Sequence, residues 1–271
     1  MSDSRTREYS LAHLSMIAVP PRELVGVAAE AGYDYTGFRL TPSPSTGVDH
    51  GLIGDVRALR DLRRAIDDSG VRILDVEVVR MKDPSAVTDA APLLEAAGIL
   101  GAPYVIATVE DTDPHRRVDT LAALAQAAAQ HGTGIAVEFM LFSAARTLQE
   151  CVAVVEAAGQ PNAVVLTDVL HLTRSGGSPD DLRSVPARLL PYVQVCGADG
   201  AGPADDPQEA RAQAVRARLA PDEGDLPVRE FVAALPAQTI LSVESPLEGQ
   251  ADPVDRVGLA RRLLASSQAI A

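Results

Sequence analysis

The stretch VVLTDVLHLTRSGG, residues 164–177, decides the fold. Its opening is continuously apolar or β-branched and runs straight into Asp168, with His171 three residues later. A continuous apolar run, rather than an alternating one, is how a strand covered on both faces reads in a parallel sheet. Upstream lies TLQECVAVVEAAG, residues 147–159, helical in spacing and ended by a glycine. Downstream, SPDDLRSVPARLL, residues 178–190, predicts a short helix. Ser178 is its N-cap and Pro179 sits in the first turn, with Asp180 and Asp181 near the positive dipole end. YVQVCGAD, residues 192–199, is the next strand.

The same alternation extends in both directions. Strands are expected at LAHLSM (11–16), TGFRL (36–40), VRILDVEVV (71–79), PYVIATVE (103–110), TGIAVEFM (133–140) and TILSVES (239–245), with amphipathic helical stretches between them. About eight strand-then-helix units predict a single (β/α)8 TIM barrel over residues 11–271, after a polar tail at residues 1–10. Two segments break the rhythm: TPSPSTGVDHGLIG (41–54) after the second strand, and GAGPADDPQEARAQAVRARLAPDEG (200–224) after the seventh. The second lies on the face where barrel enzymes carry their sites. It is expected either to be a mobile surface loop or to close an arginine over substrate.

Composition narrows the function. The chain has 271 residues, 46% hydrophobic, with a net charge of −13 and a pI near 4.8. That charge disfavours nucleic acid and anionic membranes as partners, since both reward clustered Lys and Arg. Lys82 is the only lysine, so a Schiff-base mechanism has one candidate. Cys151 and Cys196 lack CxxC spacing, and with no signal-peptide pattern or apolar run of about 18 residues a reducing cytoplasm is the simplest expectation. Self-association is left open.

Barrel chemistry gathers at the carboxyl ends of the strands. There the fifth strand ends on Glu138, the sixth carries Asp168 and His171, the seventh holds Gln194 with Asp199 beyond, and the eighth ends on Glu244. The third strand adds Glu77, and Arg39 follows Phe38 on the second. Taken singly, each carboxylate reads as a cap or salt-bridge partner, Glu77 as a partner of Arg39 or Arg80, His171 as a hydrogen-bonded loop residue and Cys196 as an apolar filler. Together, the carboxylates would repel one another unless compensated. A divalent cation held by Glu138, Asp168, Gln194 and Glu244 resolves this. All-oxygen donors suit Mn²⁺ or Mg²⁺ better than zinc. His171, Glu77, Arg39 and Arg218 are then the expected substrate-binding residues.

These residues resemble the xylose isomerase-like barrel superfamily, the sugar phosphate isomerase/epimerase group, from Leu11 to about Leu264. In that family a fifth-strand glutamate, sixth-strand aspartate, seventh-strand histidine and eighth-strand glutamate bind the metal. Glu138, Asp168 and Glu244 match three of these positions, and Asp168 with His171 matches the family's Asp-x-x-His pattern. DEGDLPVREFVAAL resembles the family's Gly-Glu-Gly-Asp segment. Gln194 departs from the histidine, and VQVCGAD is similar to a subgroup reading Val-Gln-Leu-Cys-Asp. The histidine-rich zinc site of the DNA-repair branch is disfavoured by five histidines and the acidic charge. The resemblance implies proton transfer next to a carbonyl of a small polyhydroxylated substrate, with Glu138 and Glu244 as acid and base in an isomerase or epimerase. Dehydration of a keto-cyclitol or dehydroshikimate-like compound is the alternative, and a non-catalytic binding barrel the third reading.

Overall fold

Eight parallel strands close on themselves in sequence order: β1 Tyr9–Leu11, β2 Tyr35–Arg39, β3 Arg72–Met81, β4 Tyr104–Val109, β5 Gly134–Glu138, β6 Ala163–Asp168, β7 Tyr192–Val195 and β8 Ile240–Val243. The computed structural model describes residues 7–42, 47–249 and 252–271. Closure is made by β1 against β8, where Tyr9, Ser10 and Leu11 pair with Leu241, Ser242 and Val243. The chain is a (β/α)8 TIM barrel, as the strand–helix rhythm predicts.

Helices wrap the sheet because their apolar stripes need cover. The helix Val56–Ser69 buries Leu59, Leu62 and Ile66, and the helix Leu148–Ala158 buries Leu148, Cys151, Val154 and Val155. Side-chain caps start both, Asp55 accepting from the Ala58 N–H and Thr147 from the Glu150 N–H. Each such cap is worth about 1 kcal/mol. No helix among the described residues is long and apolar enough to cross a membrane.

Three expectations need adjustment. β1 begins at Tyr9, inside the expected tail, whose residues 1–6 lie outside the described ones. Only Leu11 of LAHLSM is strand, because the chain turns into a 3-10 helix at His13–Met16, where Ser15 donates its N–H to the Ala12 carbonyl. The expected helix at 178–190 is two 3-10 turns, Pro179–Ser184 and Ala187–Leu189, separated by Pro186, which has no N–H to carry a helix through. Of the 41–54 loop, residues 43–46 lie outside the described residues.

The 200–224 excursion contains a ten-residue helix, Pro207–Arg216, capped by Asp206. Two devices hold the excursion to the barrel. Arg174, buried after β6, donates to the carbonyls of Asp199, Gly200 and Gly202 and to Gln213 Oε1. Gly197 and Leu219 exchange a pair of backbone hydrogen bonds at 3.0 and 2.8 Å. Gly197 must lack a side chain, since a Cβ there would lie 2.1 Å from the Glu223 carbonyl and 2.3 Å from that of Ala220.

Candidate active site

A cavity of about 590 Å³ opens at the carboxyl end of the barrel. Glu138, His171, Glu244, Glu77, Arg39 and Arg218 all line it. Asp168 and Gln194 sit in the wall, at 0% and 1% exposure. Glu138, Asp168, Gln194 and Glu244 gather round this cavity because β5, β6, β7 and β8 terminate at that rim, while Glu77 reaches it from within β3, His171 from the helix after β6 and Arg218 from the excursion after β7.

The centre of the arrangement is Arg218, 2% exposed. Its Nη1 donates to Asp168 Oδ2, and its Nη2 meets Glu244 Oε2 at 2.8 Å. Nη1 also donates to the Glu244 carbonyl at 3.2 Å, and Nε donates to the Ala214 carbonyl at 2.7 Å. Gln194 Nε2 donates to Glu244 Oε1 at 2.8 Å, leaving Gln194 Oε1 buried without a hydrogen-bond partner. Asp168 Oδ1 accepts the Leu170 N–H at 2.7 Å, as the N-cap of the helix Val169–Arg174. A buried carboxylate on an apolar strand thus meets a guanidinium and a helix start.

Glu138 is less constrained. Its one ion-pair contact among the described residues is His171, with Oε1 3.6 Å from Nε2. Burial pushes the Glu138 carboxyl well above the usual range, and the charges of Glu244 and Asp168 add to this. Burial also raises Glu244, against the pull of Arg218. Burial pushes the His171 imidazole down to about 4, so the ring is neutral near pH 7. Phe142 packs edge-on to His171 at 5.7 Å between ring centres, and the guanidinium carbon of Arg211 stands 5.8 Å from the Phe142 ring. The helix of the excursion is thereby placed over the cavity wall. Phe38 and Phe139, the other aromatics near strand ends, are core residues at 0% exposure.

The mouth is cationic. Arg39 pairs with Glu77 at 3.1 Å, one of the two partnerships anticipated for that glutamate. Arg80 and Lys82 share Glu110 at 3.3 and 3.9 Å, and Arg211 has no carboxylate partner among the described residues. One contributor, Asp75, escapes sequence reasoning, and a second, Arg218, has a role there beyond the expected one. Asp75 is a fully enclosed carboxyl inside the barrel, kept high by burial, and a Cβ on Gly37 would lie 2.2 Å from its Oδ1. Arg218 was expected to bind substrate, but it also fills the space between two carboxylates. The only sequence signal for that is its place in the segment leading to the DEGD run.

Glu138, Asp168 and His171 form a buried cluster with ligand atoms within 4.8 Å of one another, and such a cluster could hold a metal ion. The expected four-oxygen set does not fit one as these side chains stand. Asp168 and Glu244 have each carboxylate oxygen against an N–H donor or the Arg218 guanidinium, whereas Gln194 Oε1 is buried and without a partner while its N–H goes to Glu244. A cation sharing Asp168 with Arg218 would also meet like-charge repulsion, about 4 kcal/mol per unit charge at about 4 Å and an effective dielectric of about 20.

No curated protein matches this chain by sequence. Among solved structures, the IOLI protein with a bound zinc atom superposes with a TM-score of 0.81 at 15% identity, over 97% of each chain. A D-psicose 3-epimerase solved in the presence of D-fructose superposes at 0.73 with 16% identity, over 97% of this chain and 99% of that one. The probable 3-DHS dehydratase AsbF from Bacillus anthracis superposes at 0.72 with 15% identity, over 95% and 98%. At such identities these likenesses concern the fold. The profile described as xylose isomerase-like TIM barrel matches residues 25–267, nearly the whole chain, and with the closed eight-stranded barrel it places this protein in the xylose isomerase-like TIM barrel family.

Proposed function

We propose that the protein is an isomerase or epimerase that moves a proton next to the carbonyl of a small polyhydroxylated substrate. The observation that carries this reading is the pair Glu138 and Glu244, two buried glutamates from β5 and the end of β8 lining one cavity with unequal surroundings. Burial raises both, but only Glu244 touches a guanidinium. Glu244 sheds its proton first and is the base, while Glu138 holds its proton and is the acid, a division set by environment. Glu244 takes the proton, the C–H electron pair forms the C=C bond of an enediolate, and Glu138 returns a proton to carbon; in isomerisation the hydroxyl proton also passes to the former carbonyl oxygen. Delivery to the same carbon gives epimerisation, and delivery to the neighbouring carbon gives isomerisation. His171, neutral and beside Glu138, offers a hydrogen bond to a substrate hydroxyl, and Arg39 with Glu77 orients the far end. No step calls on Mn²⁺ or Mg²⁺, the ions suggested by the oxygen donors.

Dehydration of a keto-cyclitol or dehydroshikimate-like acid is a second reading. Arg39, Arg80, Lys82 and Arg211 at the mouth favour it, because they suit a carboxylate. In that case the same base removes a proton and Glu138 protonates a departing hydroxyl.

The test is incubation in D₂O with a panel of ketoses, inososes and dehydroshikimate, read by NMR and mass spectrometry. Solvent deuterium at the carbon beside the carbonyl, with a new epimer or isomer, supports the first reading. Loss of water supports the second. A panel returned without exchange or product would rule out proton transfer on these substrates and leave a binding barrel.

A further inference from the structure

We propose that Arg218 is the resident cation of this barrel: its guanidinium stands between the sixth- and eighth-strand carboxylates in place of a divalent metal, and the site works without one. Three observations carry this. The guanidinium bridges Asp168 and Glu244, two of the residues expected to share a metal. It is built in rather than draped over the site. Nε is fixed to the Ala214 carbonyl at 2.7 Å, Cys196 Sγ lies 3.5 Å from Nη1, and the next residue, Leu219, is locked to Gly197 by two backbone hydrogen bonds. Finally, Gln194 stands where an imidazole ligand would be expected and spends its amide N–H on Glu244. A histidine bound to a metal offers its ring nitrogen as an electron-pair donor; here that position spends its N–H on the same carboxylate that Arg218 contacts, while its amide oxygen stays buried without a hydrogen-bond partner.

Asp168 and Glu244 carry two negative charges when ionised; the guanidinium offsets one of them, and with the Gln194 amide and the Leu170 N–H it puts a donor or a cation against each of the four oxygens. A planar guanidinium is suited to this, because it stays protonated and directs several N–H groups at once. Nη2 stands 2.8 Å from Glu244 Oε2 as an ion pair and makes no hydrogen bond among the described residues, so it has a hydrogen to offer, and Arg218 lines the cavity.

The chemistry rests on the proton-transfer reading above. As the C–H bond breaks, its electron pair forms the C=C bond of the enediolate and the carbonyl pair moves onto oxygen. The free Nη2 hydrogen donates to that oxygen, the proton is held on the glutamate, and the guanidinium keeps all its protons throughout. A fixed hydrogen-bond donor supplies the stabilisation otherwise provided by a Lewis acid.

The test uses metal binding and melting temperature, so that it does not depend on knowing the substrate. The full-length protein, stripped with chelator, is titrated with Mn²⁺ and Zn²⁺ and followed by calorimetry, EPR and thermal melting, beside Arg218→Ala. The wild type should take up no tightly held equivalent, and its Tm should be the same with chelator or ion. Arg218→Ala should melt lower, bind about one equivalent, and regain Tm when Mn²⁺ is added. Arg218→Met, which keeps an apolar stem without the charge, is the second variant if alanine does not fold. One tight equivalent per wild-type chain, or a Tm lowered by chelation, would overturn the proposal, as would failure of both variants to gain an ion. Where a panel substrate exchanges deuterium, the wild-type rate should be unchanged in chelator. Absence of exchange with the expected metal pattern would count against the proton-transfer reading and not against the role of Arg218.

Discussion

Glu244 meets Arg218 and the Gln194 amide whereas Glu138 meets only His171, and these contacts separate their expected mutant behaviour. Replacing either by glutamine keeps the shape and removes the titrating oxygen, so turnover should fall by about 10²–10⁴-fold while the protein stays folded. Steady-state rates and circular dichroism check both. Glu244→Gln should cost more stability, because it leaves Arg218 with one carboxylate instead of two. Wild-type turnover in either variant would move the chemistry elsewhere. His13 offers a separate test. Its Nδ1 accepts the Arg39 N–H at 3.0 Å, so its Nε2 carries the hydrogen donated to the Val19 carbonyl at 2.8 Å. Protonation would set one N–H against another, and burial pushes the ring down to about 4. A group lowered on folding contributes stability that is complete above its unfolded value near 6.5 and is lost as pH falls toward 4. The full loss is about 3 kcal/mol. Asp75, raised by burial, titrates with the opposite sign, so the readout is the difference between wild type and His13→Gln in urea midpoints across this window. Equal pH slopes in the two proteins would show that His13 is not the cause. The strand-end carboxylates were legible because a charge closing an apolar run needs an explanation, whereas Asp75 lies near the start of β3, on the same face as Glu77, where no strand end marks it.

At the scale of elements, the decisive piece is the segment from Gly197 to Gly224, whose polar, alanine-rich sequence conceals two functions. Its helix, Pro207–Arg216, brings Arg211 to the cavity, and the turn after it delivers Arg218. The helix was hard to read because proline, aspartate and glycine on both sides suggest a loop, yet Asp206 and Pro207 are an N-cap followed by a first-turn proline. The contact with Asp168 could not be read at all. It depends on Gly197 letting the backbone of residues 220–223 approach within van der Waals range of β7's exit. Gly197→Ala should therefore cost about 1–3 kcal/mol through overpacking. It should also loosen Arg218, lowering activity more than a surface substitution of equal stability cost. Urea midpoints together with limited proteolysis of the 200–224 segment measure both effects. Unchanged cleavage and activity in Gly197→Ala would show that the segment docks without this close approach.

For the whole molecule, the distribution of charge matters more than its sum. A net charge of −13 should repel anions, yet the mouth of the barrel gathers Arg39, Arg80, Lys82 and Arg211 against Glu77 and Glu110. Arg80 is pulled down by burial, and the charges of Arg39 and Arg211 push the same way, so these guanidiniums feel one another. Like charges held together in a cavity mouth are tolerated where an anion completes them, and they draw one in from solution. Composition disfavoured nucleic acid and anionic membranes, but a summed charge cannot report a local reversal at a small-molecule site, although the single lysine close to Arg80 at the end of β3 was visible. An acidic substrate, as in the second reading proposed above, would complete this mouth. Arg211→Ala removes the one mouth cation without a carboxylate partner among the described residues, and it is an exposed position where a charge contributes about 0.5–1 kcal/mol, or roughly 2–5-fold in affinity. The KM for an acidic substrate, or the inhibition constant of an acidic analogue, should rise by that factor with kcat nearly constant, and the difference between wild type and variant should shrink at high salt as screening shortens the field. Neutral polyols should bind both proteins alike. If acidic and neutral ligands weakened equally, Arg211 would be acting through Phe142 and the cavity wall rather than through its charge.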